Sequence, residues 1–488
     1  MASTFKLVFA VPLLLQLLDF CWGNKVGVDY GMDADNLPSP EKVAQLVRNH
    51  NIQYLRIYNY RPEVLRAFSN TGIELMVGVP NADLSQFQSQ PYVDSWLRTS
   101  ILPYREATKI THITVGVEVT NSPDNAANCV VRAMRNVVSA LKSANLQGKI
   151  KVSTPLSFGV LSKSYPPSEG AFNSGYEYVL RPLLDFLEEN QSPFMVNLYP
   201  FYAIGDSSLD AILFKSPSSI FVDQNTGLSY KNIFDAQLDA VFYAIANLNF
   251  RTTRNTFDAQ PDTVHFTLAD TDLIINDIIA AETGWPTRGS RRPHANDYAN
   301  IDNAQTYNTN LISHVMGGSG TPARPGANLD VYIFSLFNEN LKQGPETERN
   351  FGLFYPDMTS VYNLVFPGKG TGRSWDPNGR TWCVATSQAY RSNLQNALDW
   401  ACGPGKADCS EIQPNQRCFQ PDTLLAHASF AFNNYYQKNG ATDASCSFRG
   451  NAIKVDRDPS KSLRIIIAIY HMITKTAACN TTTIATSL

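Results

Sequence analysis

Two glutamates occupy positions suited to a cleft acid: Glu118 in Ile113-Thr-Val-Gly-Val-Glu-Val and Glu282 in Ile278-Ile-Ala-Ala-Glu-Thr-Gly-Trp-Pro. Each ends a run rich in apolar residues. A carboxylate so flanked is either buried at a cost or aimed into a cleft where that cost serves chemistry. Two such acids facing a neutral substrate are what glycoside hydrolysis needs: one holds a proton for the leaving oxygen, the other stays ionised to attack or stabilise the sugar cation. The alternative makes each acid an ion-pair partner of a barrel arginine such as Arg56. More charge follows in Phe337-Asn-Glu-Asn-Leu-Lys-Gln-Gly-Pro-Glu-Thr-Glu-Arg, where Glu339, Lys342 and Glu348 form either a network tuning the pair or a solvated loop. Tyr30, Tyr58, Tyr199, Phe201, Tyr202 and Trp285 fall at strand ends and offer flat faces on which sugar rings stack, or else pack as core and rim.

Competing chemistries lack their residues. There is no phosphate loop, no His-Glu-x-x-His and no Gly-x-Ser-x-Gly, and the seven histidines are scattered, so neither a cofactor nor a metal is expected. With 40 Lys+Arg against 43 Asp+Glu and no long basic run, the chain has no electrostatic footprint for nucleic acid or an anionic membrane. A composition 43% hydrophobic and 17% charged excludes a disordered or collagen-like chain.

The elements that must position these residues alternate. Strands are expected at Val26–Tyr30, Tyr54–Tyr58, Glu74–Val79, Ile113–Val119, Ile150–Thr154, Phe194–Leu198, Ile278–Glu282 and Val331–Phe337, separated by helix-period segments such as Asp124–Ala144 and Phe234–Ala246. Eight βα units predict a (β/α)₈ barrel, whose site forms at the carboxyl ends of its strands. An open doubly wound sheet is the alternative, but no Gly-x-Gly-x-x-Gly follows the first strand.

Residues 1–23 read as a secretory signal peptide: Lys6, an apolar run from Leu7 to Leu18, then Cys21-Trp22-Gly23. That implies a secreted, extracellular or cell-wall protein with no integral membrane segment in the mature chain. The barrel is expected over 24–366, a Gly/Pro/Ser/Asn-rich linker over 367–381, a cysteine-dense small domain over 382–464 and a divergent tail over 465–488. Asn190 and Asn480 match the N-glycosylation pattern. The tail carries only a short apolar run, so a lipid anchor is expected only if the true C-terminus differs. Cys129, alone in the large region, reads as a buried thiol.

Val26-Gly-Val-Asp-Tyr-Gly, Asn36-Leu-Pro-Ser-Pro-Glu, Thr71-Gly-Ile-Glu-Leu, Glu282-Thr-Gly-Trp-Pro and Phe337-Asn-Glu-Asn-Leu-Lys resemble the plant endo-β-1,3-glucanases of glycoside hydrolase family 17. The resemblance covers nearly all of residues 25 to 360. It implies a metal-free retaining barrel with Glu282 as nucleophile, Glu118 as acid/base, and Glu339, Lys342 and Glu348 in support. Three departures stand out. Val117 occupies the position where the family usually has Asn, Asp29 stands where it generally has Asn, and 251–277 inserts before the nucleophile strand.

Trp382-Cys-Val-Ala, Leu398-Asp-Trp-Ala-Cys-Gly-Pro-Gly and Tyr435-Tyr-Gln-Lys resemble carbohydrate-binding module family 43, a small helical, disulfide-stapled β-1,3-glucan binder. The resemblance implies Cys383–Cys446 and Cys402–Cys409 bridges and leaves Cys418 unpaired unless Cys479 substitutes. Phe432, Tyr435 and Tyr436 are glucan contacts or core. The expected function is a secreted retaining endo-hydrolase of β-1,3-glucan, callose or cell-wall glucan being its polysaccharide partner. The alternative is a wall glucan-binding protein with a weakened barrel.

Overall fold

The computed structural model describes residues 24–122, 126–205, 207–216, 218–254, 277–289, 298–367, 381–386, 391–420, 422–448 and 451–455. The leader 1–23, most of the linker 367–381, the tail 465–488, Cys479 and Asn480 lie outside them. Two compact units divide between residues 369 and 370.

In the first unit the strands are β1 (Val26–Tyr30), β2 (Tyr54–Ile57), β3 (Glu74–Val79), β4 (Lys109–Val115), β5 (Lys151–Ser153), β6 (Pro155–Ser157), β7 (Leu161–Lys163), β8 (Ala171–Phe172), β9 (Phe194–Asn197), β10 (Phe221–Val222), β11 (Ser229–Tyr230), β12 (Ile278–Thr283) and β13 (Asp330–Phe334). The main sheet runs β5-β4-β3-β2-β1-β13-β12-β9-β6, every pair parallel. Because β5 and β6 are halves of one strand interrupted at Thr154, the sheet closes on itself as the eight-position (β/α)₈ barrel. β7–β8 and β10–β11 are small antiparallel hairpins outside the ring.

The helices are α1 (Pro40–Asn49), α2 (Pro62–Ala67), α3 (Gln90–Trp96), α4 (Ala126–Ser143), α5 (Glu177–Glu189), α6 (Leu209–Ile212), α7 (Ile233–Arg254) and α8 (Ile301–Gly317). Helix α1 shows why they form: Ser39 precedes Pro40 at the first helical position, Glu41 sits in the first turn, and Val43, Ala44, Leu46 and Val47 make one buried stripe. Outward-facing strand residues pack under such stripes, whereas Met76, Met195, Ile279, Ala281 and Tyr332 form a separate cluster that fills the barrel interior.

Most strands lie within a residue or two of expectation, but the fourth does not. It starts at Lys109 and stops at Val115, because Gly116 turns into the left-handed region at φ 73°. Glu118 therefore stands on the loop beyond the strand. Helix α7 runs on to Arg254, so the inserted segment begins as helix, and 255–276 lie outside the described residues. Cys129 on α4 is a free thiol, half-buried rather than buried.

The second unit pairs β14 (Trp382–Ala385) antiparallel with β15 (Ala452–Val455) and adds α9 (Arg391–Cys402) and α10 (Leu424–Lys438). Cys383–Cys446 and Cys402–Cys409 are both bridged. Cys418 is disulfide-bonded too, so it does not stand unpaired; Cys479, the expected substitute partner, lies outside the described residues. Phe432 and Tyr436, entertained as glucan contacts, are fully buried core.

Candidate active site

Glu282 is the penultimate residue of the fully buried strand β12 and accepts three hydrogen bonds of 2.8 Å. Arg56 Nη1 and the Tyr58 hydroxyl donate to Oε1, and the Tyr199 hydroxyl donates to Oε2. Each donor comes from a strand end or the residues just after it, which is how a parallel barrel converges side chains on one point. Burial works against the Arg56 charge, but Tyr58, Glu282 and Asp29 around it outweigh that, and its pKa is raised. Burial, together with the neighbouring carboxylates, raises Tyr58 and Tyr199 well above the ordinary phenol value, so both keep the protons they donate. The ion-pair alternative thus holds for Glu282, which Arg56 pairs, while among the described residues no arginine lies within ion-pair distance of Glu118.

Glu118 has the opposite surroundings. Burial, and next the negative charge of Glu282, push its carboxyl up from the usual range, and the amides of Asn197 (2.9 Å) and Asn121 pull the other way. Its backbone is at φ 46°, a left-handed conformation costly for a non-glycine residue, and its N–H donates to Pro155 O at 2.8 Å. The preceding residue is clamped as well: Val117 N donates to Asn81 Oδ1 (2.8 Å) and Asn81 Nδ2 donates to Val117 O (2.9 Å). Both acids line one cleft of about 1380 Å³, with Val117, Asn197, Tyr58, Tyr199, Tyr202, Lys342 and Glu348 also in its wall.

Among the described residues Glu339, Lys342 and Glu348 form no direct ion pair with one another, but Lys342 N donates to Glu339 O at 3.2 Å and the Lys342 charge draws the Glu339 carboxyl down against its burial. Among the described residues no carboxylate lies within ion-pair distance of Lys342, whose Nζ sits 3.8 Å from the centre of the Phe334 ring. Glu339 is buried, which raises its carboxyl pKa, and it accepts from Asp33 N at 2.8 Å. It lies so close to Gly31 that any Cβ there would overlap its oxygens. Glu348 instead accepts from the Tyr202 hydroxyl at 2.9 Å.

The aromatic candidates divide. Tyr58 and Tyr199 reach the cleft, and they act on Glu282 through their hydroxyls. Tyr202 is 38% exposed and presents its ring. Tyr30, Phe201 and Trp285 are corrected to core. Tyr30 packs on Phe337, Phe201 packs edge-on against Trp285 at 5.1 Å, and the Trp285 indole donates to Tyr298 O. Being at a strand end does not decide which way a ring points.

Asn197 and Asn81 were missed in the sequence. Asn197 had a signal: a polar residue closing the apolar run Phe194-Met-Val. Asn81 had none, since its role depends on the loop that follows β4.

Residues 26–250 and 244–366 match glycosyl hydrolases family 17. The chain belongs to that family. Residues 381–453 match the X8 domain. Among curated relatives of this family 17 chain, glucan endo-1,3-beta-glucosidase 13 of Arabidopsis thaliana is 54% identical across 100% of this chain and 93% of its own length. Glucan endo-1,3-beta-D-glucosidase of Olea europaea is 37% identical, covering 94% and 96%. Among solved structures, the family 17 barrel is similar to CJP38, a beta-1,3-glucanase and allergen of Cryptomeria japonica pollen. That structure matches with TM-score 0.61 and 41% identity over 71% of this chain and all of the other.

Proposed function

We propose that this chain is a secreted retaining endo-hydrolase of β-1,3-glucosidic bonds in β-1,3-glucan, with Glu282 as nucleophile and Glu118 as acid/base. The observation that carries the reading is the contrast between two glutamates in one cleft: a raised carboxyl at Glu118, and at Glu282 the hydrogen-bond partners of a charged carboxylate. Such a pair supports the two-step reaction. Glu118 gives its proton to the glycosidic oxygen as a Glu282 oxygen bonds to the anomeric carbon and the C–O bond breaks. Glu118, now ionised, takes a proton from water, whose oxygen displaces Glu282 and restores both groups. Arg56, Tyr58 and Tyr199 hold Glu282 in line and carry the charge it regains.

The relatives' names support the substrate, and the X8 domain supports a second grip on polysaccharide. The leader-like 1–23 supports secretion. No helix among the described residues is long and apolar enough to cross a membrane. A second reading, a glucan binder with little turnover, is favoured by one observation: Val117, which cannot hydrogen-bond through its side chain, lines the cleft beside Glu118.

The test is release of reducing ends from linear β-1,3-glucan by the purified chain beside a Glu282→Gln control. Release that the control abolishes upholds hydrolysis. Binding without release upholds the second reading.

A further inference from the structure

The cleft offers more room than one sugar ring needs. Its volume of about 1380 Å³ exceeds the roughly 300–1,000 Å³ of sites that enclose one small molecule. Residues of the two accessory hairpins, including Ser164, Tyr165 and Phe221, form one arm of its wall. All the charged residues of the cleft, namely Asp33, Glu118, Glu282, Lys342 and Glu348, come from other segments. A neutral arm edged with hydroxyls suits a neutral, hydroxyl-rich ligand.

Tyr165 dominates this arm. It is 64% exposed, the highest value for any large apolar side chain among the described residues. A ring so exposed usually moves freely, but this one is braced. It packs edge-on to Phe221 at 5.1 Å, Phe221 stacks on Tyr230 at 5.0 Å and 17°, and the Tyr230 hydroxyl donates to buried Asp239 at 3.0 Å. The hairpins are tied to each other as well, since Asp223 accepts from Ser168 N at 2.9 Å and from Ser168 Oγ at 2.8 Å. Packing half-buried Phe221 on buried Tyr230 serves the fold; holding Tyr165 out in water does not. A fixed flat apolar face with serine hydroxyls beside it can stack on the C–H face of a sugar while the sugar's edge hydroxyls find partners.

We propose that Tyr165 is a glucosyl-binding platform remote from the cleavage point, engaged only by chains long enough to reach it, so that it sets a preference for long β-1,3-glucan. The proposal rests on the reading of this cleft as a β-1,3-glucan hydrolase site.

The experiment compares kcat/KM on linear β-1,3-gluco-oligosaccharides of increasing length for the full chain, Tyr165→Ala and Tyr165→Phe. The ratio of long to shortest cleaved substrate is expected to fall about tenfold in Tyr165→Ala, the scale of one lost stacking contact, and to survive in Tyr165→Phe. Equal losses at every length, or none, overturn the platform. Binding of the same oligosaccharides by calorimetry in a Glu282→Gln background, with and without Tyr165→Ala, removes the dependence on turnover. A chain that never cleaves overturns the hydrolase reading, yet length-dependent affinity lost with Tyr165 still upholds the platform. Affinity independent of both length and Tyr165 overturns it.

Discussion

Asn197 and Glu282 face each other across the β9–β12 register, yet the Asn197 amide donates to the other acid, Glu118, at 2.9 Å. One strand end thus ties together residues from β12 and the loop after β4. That bond favours the charged form of Glu118 against the burial that raises its carboxyl. In Asn197→Ala the Glu118 pKa should rise further. Glu118 must be protonated to cleave the bond, so the alkaline limb of kcat/KM should move to higher pH. Turnover should fall at the same time, by about a hundredfold, through lost alignment. A pH profile on linear β-1,3-glucan checks this, and an alkaline limb that stays put or moves down contradicts it.

Val117 is held by its backbone, both polar groups of which pair with the Asn81 amide. Its side chain can therefore change without moving the Glu118 loop. Val117→Asn puts a hydrogen-bond donor into the cleft wall beside the acid, and one such donor is worth about 10²–10³ in rate where charge develops. Turnover should rise with little change in Tm. Initial rates against wild type decide, and an unchanged rate would mean that Val117 is not what limits this cleft.

The barrel was legible because eight apolar strand runs alternate with helical stripes, and a strand buried on both faces writes that pattern plainly. Glu282 was legible for the same reason, as a lone acid closing such a run. Glu118 was found, but its setting was misread. Val117-Glu118-Val119 continues the apolar rhythm, and only the left-handed turn at Gly116 shows that the strand has ended. Which of the six rings are core, as Trp285, Phe201 and Tyr30 prove to be, was not legible because ring direction depends on packing between elements far apart in sequence. Tyr165 escaped notice for a related reason: its bracing runs through Phe221 and Tyr230, which lie far along the chain.

Asp29 is fully buried beside Arg56, 3.6 Å from its Nη1, and among the described residues neither carboxylate oxygen has a hydrogen-bond partner. Burial raises its pKa well above the ordinary value, Arg56 opposes that, and Glu282 adds to it. A carboxyl with a raised folded-state pKa helps stability below its unfolded value of about 3.9, and that help is lost as pH climbs to the folded value. Asp29→Asn cannot ionise, so it should lessen the fall in Tm from acid to neutral pH and raise Tm at neutrality. Asp239, pushed to about 7, and Asp330, pushed to about 6, would keep part of that fall. Thermal melts across pH check the sign, and a lower Tm at neutrality for Asp29→Asn contradicts it.

In the second unit, Phe432 stacks on Phe448 at 3.9 Å and is fully buried, as is Tyr436, which leaves neither a face for ligand. Trp400 sits at the margin of the same cluster, edge-on to Tyr435 at 5.2 Å and to Phe448 at 6.1 Å, with 45% of its surface exposed. A large ring steadied by aromatic neighbours and open to solvent is the better surface for polysaccharide. Trp400→Ala should weaken retention on insoluble β-1,3-glucan about tenfold, the equivalent of about 1.4 kcal/mol, while the unit stays folded. Phe432→Ala should instead open a cavity costing about 3–5 kcal/mol and unfold the unit, losing retention by another route. Pull-down on insoluble glucan with parallel melting curves separates the two. Undiminished retention by a folded Trp400→Ala chain would move the binding face elsewhere on the unit.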